Sequence, residues 1–498
     1  MKRMVLLFCM FVIVSLPAFS QNNHYYLLPL DPLAGEVTAE TVDLSYPVAY
    51  EDVKAIGMGN TQIANGKTFN AMLYNPAFLG RHKKSFEVFG LSAGMPPGTY
   101  DAAWYLADNM DEFIEATSLT QVYDAAEAFF QAENNQQRLD CLHNIQDGME
   151  FTLDLIEQVT GPYNSPRRHG VSVLPSINAQ YGNWGFSLFG YGYSGFTVQL
   201  SPTLEALTNI EIPQNLDNPI LMARSMAQLL ATMSTVFISG EGFANEVYPV
   251  ALYLAYIDAV GTVGYGFQWK DNWLFGANLK LVNRRFSMNR IAVADYDDIL
   301  NEAMSVLDAG IVGVTADVGC VYQSSFGTNF GLSMQNIIPI QTIKKTIDIS
   351  FRAPRVAVLN GKDGQPLNVN AEGDTAVVTR YTSMNIHRPF ELKSPFIANV
   401  GINHPVTPNW DISVDWVDIA EQDSRYDKTT ERIRLGSEYR LSFWDNKLGM
   451  AFRVGMADEK VAFGLGLNLT KYVQIDGAYA YDRFVDEFAY FSQIRFGW

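Results

Sequence analysis

The 498-residue sequence contains little cysteine, little charge and few basic residues. With 3 cysteines it is not a disulfide-stapled scaffold, and no Cys/His spacing in it matches a zinc site. Charged residues make up 18% of the chain, against about 25% in an ordinary soluble protein. The 53 acidic residues outnumber the 35 basic ones, and the resulting net charge of −18 argues against a nucleic-acid-binding protein.

Long apolar runs are also scarce. Beyond residue 20, no stretch approaches the roughly 20 apolar residues that a membrane-spanning helix needs. At the start of the chain, Lys2 and Arg3 precede an apolar run over 4–16 and a small-residue site that ends at Ser20. This pattern predicts a cleaved signal peptide over 1–20, with a retained anchor as the alternative. The exported protein is then either soluble or crosses a membrane as strands.

Aromatic residues, by contrast, are abundant. They make up 13% of the chain and are accompanied by 38 glycines, which excludes an intrinsically disordered protein. The C-terminal segment alternates Phe488, Tyr490, Ile494 and Phe496 with small or polar residues. Such runs are about 10 to 12 residues long, which suits tilted strands crossing a bilayer, whereas strands of soluble sandwiches have about 5 or 6 residues. A soluble sandwich or barrel is the alternative interpretation.

The alternation and the turn signals predict an all-β transmembrane barrel of about 14 antiparallel strands. The strands are placed at 86–95, 171–181, 184–199, 249–269, 273–285, 313–323, 328–338, 395–404, 408–418, 431–443, 446–456, 460–470, 472–482 and 486–497. Every second connection is short, whereas all the long ones fall at the opposite end of the strands. Outer-membrane barrels show this asymmetry between short periplasmic turns and long external loops. The segment 249–269 leaves open the alternative of two strands.

The long connections, at 96–170, 200–248, 286–312, 339–394 and 419–430, are expected to face outward, and the first four to be partly helical. Val122–Gln131 and Met149–Val159 have helical spacing, and a further helix is predicted over 296–307. Residues 220–236 carry a Met-rich apolar stripe, which is either the packing face of a loop helix or a binding surface.

Two short motifs before the first predicted strand carry a family resemblance. Gly57-Met58-Gly59 is followed by Asn75-Pro76-Ala77, where Asn75 and Pro76 form an N-cap and first-turn proline pattern. The pairing resembles the outer-membrane long-chain fatty acid transporter (FadL) superfamily, especially its TraF-like and PorV-like branch. Weaker matches of the same kind lie in later strands, at 316–319, 331–336, 401–402, 435–438 and 464–467. The resemblance implies an N-terminal plug, or hatch, over 21–85 inside a barrel over 86–498.

Charged residues opposite the apolar positions are expected to point into the lumen. These candidates are Asp411, Asp415, Arg434, Glu438, Arg440, Arg453, Asp476 and Arg495. Two interpretations stay open: a polar, selective pathway, or a ladder of paired charges that holds the plug, because unpaired buried charge is costly.

Other candidate chemistry is weak. Residues 190–195 match G-x-G-x-x-G, but a strand-like run surrounds them, so we interpret them as barrel glycines. Asp295, Asp297 and Asp298 lack the spacing of a calcium loop, and we interpret them as the start of a helix. The six histidines are scattered and no G-x-S-x-G elbow is present. We therefore expect no cofactor, no metal and no enzymatic activity, with a Ser/His hydrolase as the lesser alternative.

Together these features predict a protein of the outer membrane of a Gram-negative bacterium. The first functional hypothesis is a passive channel or binding protein for a small hydrophobic solute. The alternative is a non-transporting structural or interaction protein in secretion, assembly or adhesion. The expected partners are outer-membrane lipid, a hydrophobic small-molecule ligand or an envelope protein, and no nucleic acid. The sequence leaves the substrate and the pairing of Cys141 with Cys320 open.

Overall fold

The structure is a computed structural model. It describes residues 36–38, 42–45, 50–199, 212, 214, 250–292, 310–358 and 377–497, apart from 51, 68–69, 82, 118, 162–166, 424, 445–447, 471, 483–484 and 486. Four predictions lie outside the described residues: the signal peptide, the Met-rich stripe at 220–236, the helix at 296–307 and the acidic cluster at Asp295.

The first part of the chain forms two short strands, several helices and two long strands. They are β1 Glu36–Thr38, β2 Val42–Ser45, α1 Val53–Gly57, α2 Ala71–Tyr74, a 3-10 helix Pro76–Arg81, β3 Lys83–Met95, α3 Pro97–Thr117, α4 Thr120–Gln131, α5 Asn135–Thr160, β4 His169–Gly182 and β5 Trp184–Gln199. The remainder is mainly strand: β6 Val250–Trp269, β7 Trp273–Ala292, β8 Gly310–Gln323, β9 Asn329–Gln335, β10 Ile343–Val358, β11 Val377–Lys393, β12 Ile397–Thr407, β13 Trp410–Trp416, β14 Ile433–Phe443, β15 Leu448–Ala457, β16 Lys460–Leu469, β17 Val473–Asp482 and β18 Glu487–Gly497, with a second 3-10 helix at Thr429–Arg432.

Fourteen strands, β3–β9 and β12–β18, form one closed antiparallel barrel. β18 pairs with β3 to close it, and β9 pairs with β12 across the inserted hairpin of β10 and β11. This confirms the predicted fold class and strand number. β6 is one continuous strand of 20 residues, so the alternative of two strands in 249–269 is wrong.

The strands bury polar side chains and expose apolar ones, which is the reverse of a soluble barrel. In β13, exposed Trp410, Ile412, Val414 and Trp416 alternate with buried Asp411, Ser413 and Asp415. An apolar outer face of this kind suits contact with the hydrocarbon of a bilayer. The alternate residues, which are polar, line the interior. Among the described helices, none combines the length and apolar character of a membrane span.

The two ends of the barrel differ in their connections. We name the end with the short turns the turn end, and the end with the long connections the loop end. At the turn end, β4–β5, β6–β7 and β14–β15 are joined by short turns, with left-handed backbone at Gly182, Lys270 and Trp444. Aromatic side chains ring this end: the rings of Trp184 and Tyr265 lie 4.9 Å apart, as do those of Trp273 and Tyr322. Tyr and Trp prefer membrane–water interfaces, so the turn end carries an aromatic belt.

The loop end carries the helices α3–α5 and a separate small sheet. The helices predicted within 122–131 and 149–159 are present as parts of α4 and α5. The prediction that the connection 339–394 is partly helical is wrong for the part that the structure describes, because β10 and β11 form a hairpin there. β7 also continues to Ala292 rather than ending near 285, since it pairs with β6 along 20 residues. At about 3.3 Å per residue, these two strands extend well beyond a bilayer.

Candidate functional site

Residues 50–81, named here the inner segment, lie inside the barrel. Almost all of their described side chains are buried. Asp52 begins α1 as its N-cap, and its carboxylate accepts from the amide of Ala55 at 2.9 Å. The amide of Val53 donates to Gln493 of β18, and Asn278 of β7 donates to a carbonyl of α2. The segment therefore contacts opposite sides of the wall. The plug at 21–85 stays a prediction; within its N-terminal part, β1 and β2 pair with β11 in the loop-end sheet.

Gly57 and Gly59 allow the inner segment to approach the wall backbone to backbone. A Cβ on Gly57 would lie 2.8 Å from the Cα of Gly464 in β16, closer than van der Waals contact allows. Gly59 has φ +62°, and a Cβ there would lie 2.5 Å from the carbonyl oxygen of Met456 in β15. Glycine is required here both by the left-handed backbone and by the space, which gives the G-M-G motif a structural cause.

Asn75 holds the second motif against β8 and β9. Its amide nitrogen donates to the carbonyls of Ile63 at 2.9 Å and Leu332 at 3.2 Å, while its side-chain oxygen accepts from Ala77. Pro76 then begins the 3-10 helix, in the local arrangement expected from the sequence. Asn75 thus joins two parts of the inner segment to the wall.

A network of charged side chains links the inner segment to β13–β18. Glu438 of β14 lies at its centre, 3.2 Å from the ammonium of Lys54 in α1 and 2.8 Å from Nε of Arg453 in β15. Arg453 also donates to Asp476 of β17 at 2.7 Å, and Arg440 donates to Glu438 at 2.5 Å. Three strands, β14, β15 and β17, and α1 are therefore joined through one cluster.

The network continues on both sides of this centre. Lys67 of the inner segment donates to Asp411 of β13 at 2.6 Å. Arg495 of β18 lies 3.0 Å from Asp52 and 3.8 Å from Glu87 of β3. The N-cap of α1 is thus itself held by the wall.

The whole network is neutral. It consists of two groups of ion pairs that meet at α1, which carries Lys54 of the first group and Asp52 of the second. The first group pairs Lys54, Lys67, Arg440 and Arg453 with Asp411, Glu438 and Asp476, and the second pairs Arg495 with Asp52 and Glu87. Together they hold five carboxylates and five cations. Each of the five carboxylate residues is at most 1% exposed. Removing one partner of a buried pair leaves an uncompensated charge, which typically costs about 3–5 kcal/mol. At this level the charges that face the lumen lie in ion pairs.

Two of the eight lumen candidates lie outside this network. Asp415 accepts from the amide of Ile63 at 3.0 Å, and Arg434 donates to the hydroxyl of Tyr426 at 2.7 Å. Tyr426 belongs to the loop between β13 and β14, and burial raises the pKa of its phenol, which keeps it neutral. The other six candidates meet in the network.

Several network members were not singled out from the sequence. Glu87 lies within a predicted strand and faces inward between outward neighbours, so its alternation was a usable signal. Asp52, Lys54 and Lys67 lie in a segment without periodicity, which gives no such signal. A further buried pair, Asp258 with Arg284 at 2.6 Å, joins β6 to β7 and was also missed.

Two cavities flank the network along the same strands. The outer vestibule, of about 90 Å³, opens toward the loop end and is lined by residues that include Ile56, Arg434, Ala462, Asp482 and Phe491. The inner vestibule, of about 360 Å³, is lined by polar residues toward the turn end, among them Ser442, Asn468, Gln474 and Arg495. On β16 the two linings are six residues apart, at Ala462 and Asn468, which is about 20 Å of strand.

The other side of the lumen, along β4–β8, is filled by an apolar cluster. Phe189 and Tyr193 of β5 and Val282 of β7 belong to it, together with Phe113 of α3 and Ile156 of α5. The cluster thus continues from the wall into the helices of the loop end. It forms a packed core, in contrast to the charged contacts along β13–β18.

No family model matches this chain, and no curated protein matches it. Among solved structures it is similar to the toluene transporter TodX of Pseudomonas putida, at 13% identity and a TM-score of 0.37, over 91% of this chain and 98% of that one. It is also similar to the toluene transporter TbuX of Ralstonia pickettii, at 13% identity and a TM-score of 0.38, over 90% and 98%. A FadL homologue of Pseudomonas aeruginosa gives 9% identity and a TM-score of 0.38, over 91% and 98%.

TM-scores below 0.5 are too low to support a conclusion about fold or function, so the proposals below rest on the geometry of this chain. The FadL homologue carries the name of the superfamily that the motifs resemble. Membership of the TraF-like and PorV-like branch stays a prediction.

Proposed function

We propose that this protein is a passive channel of the Gram-negative outer membrane, closed at rest by its inner segment, for a small hydrophobic solute. The observation that carries the proposal is the pair of vestibules on the same strands, separated by α1 and the charge network. A barrel built only as a scaffold has no need of cavities aligned on both sides of one closure. Displacement of α1 would join them into a continuous path.

The dimensions of the barrel support the membrane location. Tyr472, which is 50% exposed, lies just before β17 at the turn end, and Tyr481 lies near the loop end of β17 on the outward face that carries Ile475. Nine residues span about 30 Å of strand, or about 23 Å across the membrane at a tilt of about 40°. The apolar band of outer-membrane barrels is about 25 Å tall, so the spacing of these two tyrosines fits one bilayer.

One part of the outer vestibule's lining supports a hydrophobic solute. Ile56, Ala462, Ala480 and Phe491 present apolar surface there, beside charged residues such as Arg434 and Asp482. Burial of apolar surface contributes about 0.8 kcal/mol per CH₂, so a small hydrocarbon gains free energy on entering. Toluene, the compound named for two of the similar structures, is a suitable first probe.

The closure is held by contacts that can re-form. Lys54 and Asp52 of α1 are each paired with a buried charge of the wall. When α1 is displaced these pairs break, and both side chains must find water or another charged partner. Such a closure opens rarely and needs no nucleotide. Transport through it is passive diffusion down a concentration gradient.

The decisive experiment is toluene uptake into proteoliposomes by the wild-type protein and by Glu438→Gln. Loss of this carboxylate removes the partner of Lys54 in α1, so we expect uptake to rise on the order of tenfold, the factor that about 1.4 kcal/mol gives. Asp258→Asn is the matched control, because it also breaks a buried pair but joins β6 to β7 away from α1. Equal uptake by Glu438→Gln and the control would count against a closure held by the network.

A second candidate function is that of an interaction protein without transport. The observation in its favour is an exposed aromatic pair on α3, where Tyr100 and Trp104 are 58% and 61% exposed with ring centroids 6.3 Å apart. Exposed aromatic pairs at the loop end suit docking to another envelope component. Absence of uptake in both the wild type and Glu438→Gln would favour this function.

A further inference from the structure

The N-terminal strands β1 and β2 lie at the loop end of the barrel. Both pair in parallel with β11, with Val37 opposite Ile386 and Leu44 opposite Leu392. β11 runs directly into β12, whose first residue Ile397 pairs with the loop-end residue of β9. The chain therefore passes the loop end before it enters the lumen.

The same chain leaves the lumen at the opposite end. Gly80 lies against the carbonyl of Phe267, two residues from the turn end of β6. β3 then begins at Lys83, paired with Gly182 at the short β4–β5 turn. Between Ser45 and Lys83 the polypeptide thus threads the barrel from the loop end to the turn end.

This path gives the inner segment an attachment at each end. At the turn end it continues covalently into β3. At the loop end, Ser45 of β2 is seven residues before Asp52, the N-cap of α1. Seven residues reach at most about 25 Å when fully extended, so α1 cannot leave the lumen toward the turn end while β2 stays on β11.

The attachment at the loop end is the weaker part of its sheet. β1 and β2 contribute 3 and 4 register pairs, whereas β10 and β11 share 16. The two short strands flank Arg388 and Pro389, and Pro389 has no amide to donate. Parallel pairing is also slightly less stable per residue than antiparallel pairing. β1 and β2 are therefore held to β11 by fewer contacts than the hairpin itself has.

We propose that β1 and β2 form an external clasp that restrains the inner segment, and that its release from β11 precedes opening of the lumen. The clasp couples the β10–β11 hairpin, which projects from the loop end, to α1 across seven residues. A change at the hairpin is thereby transmitted to the closure between the vestibules. This inference rests on the proposed function only for its effect on solute passage; the threading itself does not depend on it.

The location of the clasp is tested by cysteine labelling in intact cells, with the 3 native cysteines replaced by serine. Val37→Cys should react with a membrane-impermeant maleimide without permeabilisation, as should Tyr100→Cys, the loop-end control. Asn409→Cys, in the β12–β13 turn, should react only after permeabilisation. A Val37→Cys protein that behaves like Asn409→Cys would overturn the external clasp.

Its restraint is tested by joining Val37→Cys to Ile386→Cys with a short bis-methanethiosulfonate reagent, since neighbouring strands lie about 4.8 Å apart. The cross-link should slow hydrogen exchange of the Val53 and Ile63 amides on the order of tenfold and lower toluene uptake, and reductant should reverse both. The control pair Ile349→Cys and Ile386→Cys, which joins β10 to β11, should change neither.

The outcomes separate the two proposals. Unchanged exchange in the cross-linked protein overturns the clasp, whether or not the barrel conducts. Slowed exchange without toluene uptake in any variant supports the clasp and overturns the channel. Slowed exchange with unchanged uptake in a conducting barrel overturns the link between clasp release and opening.

Discussion

Strands β13–β18 and strands β4–β8 enclose the same lumen but meet the inner segment with different chemistry. Along β13–β18 ion pairs such as Lys54 with Glu438 reach the inner segment beside a small apolar contact of Ile56 with the wall, and cavities lie on both sides of them. Along β4–β8 the space is filled by apolar side chains, such as Phe189 and Val282, that continue into the helices. The second side is a packed core, which resists rearrangement. If the protein is the proposed channel, the first side is therefore where the solute would pass, and the second side is where stability would be concentrated.

The largest expected effect comes from breaking the charged side at Arg453. Arg453→Ala removes the partner of both Glu438 and Asp476, so the closed state should lose about 3–5 kcal/mol and toluene uptake should rise strongly. Urea unfolding in detergent and uptake in proteoliposomes measure the two effects. Lost stability with unchanged uptake would assign a purely structural role to this side.

Breaking the apolar side should give the opposite combination. Phe189→Ala removes a fully buried ring from the cluster, which should cost about 3–4 kcal/mol of unfolding free energy. Because no vestibule wall depends on it, uptake should stay at the wild-type rate. A rise in uptake as large as that of Arg453→Ala would remove the distinction between the two sides.

A smaller effect is expected from Gly59→Ala, which tests the close contact between the inner segment and β15 directly after α1. The left-handed backbone and the carbonyl of Met456 leave no room for the methyl group, so the segment after α1 should shift at a cost of about 1–3 kcal/mol. Hydrogen exchange of residues 53–66 should quicken while the wall strands stay protected. Gly261→Ala, where a Cβ meets nothing within 4 Å, is the control.

The smallest effect is expected at an exposed pair of the loop-end hairpin. Glu391 accepts from Lys344 at 2.5 Å, and hydrogen bonding from Lys344 lowers the pKa of its carboxyl. Glu391→Gln should leave both uptake and thermal stability close to wild type, since exposed pairs contribute little. A marked change in uptake would show that this hairpin contact takes part in the closure.

The barrel could be predicted from the sequence because its signals are local. Alternation of residues such as Phe488 and Tyr490 with polar neighbours marks the strands, and short turns near Gly182 and Lys270 mark one end. The inward direction of Glu438 and Arg453 follows from the same period of two.

The remaining features depend on contacts between distant residues. The partnership of Lys54 with Glu438 joins residues almost 400 positions apart, and nothing in either neighbourhood specifies it. The β10–β11 hairpin lacks clean alternation and contains Pro354 and Pro389, and proline within a run argues against predicting a strand. Pairing of β1 with β11 is long-range and parallel, and therefore has no turn signal.

The closure of the lumen by α1 is tested most directly by fixing α1 to the wall. Lys54→Cys and Glu438→Cys, in a background without native cysteines, are joined by the short bis-methanethiosulfonate reagent, and toluene uptake is measured before and after reduction. The same protein serves as its own control. We expect uptake to be abolished in the cross-linked state and restored by reductant. Equal uptake in both states would contradict a channel that opens by displacement of α1.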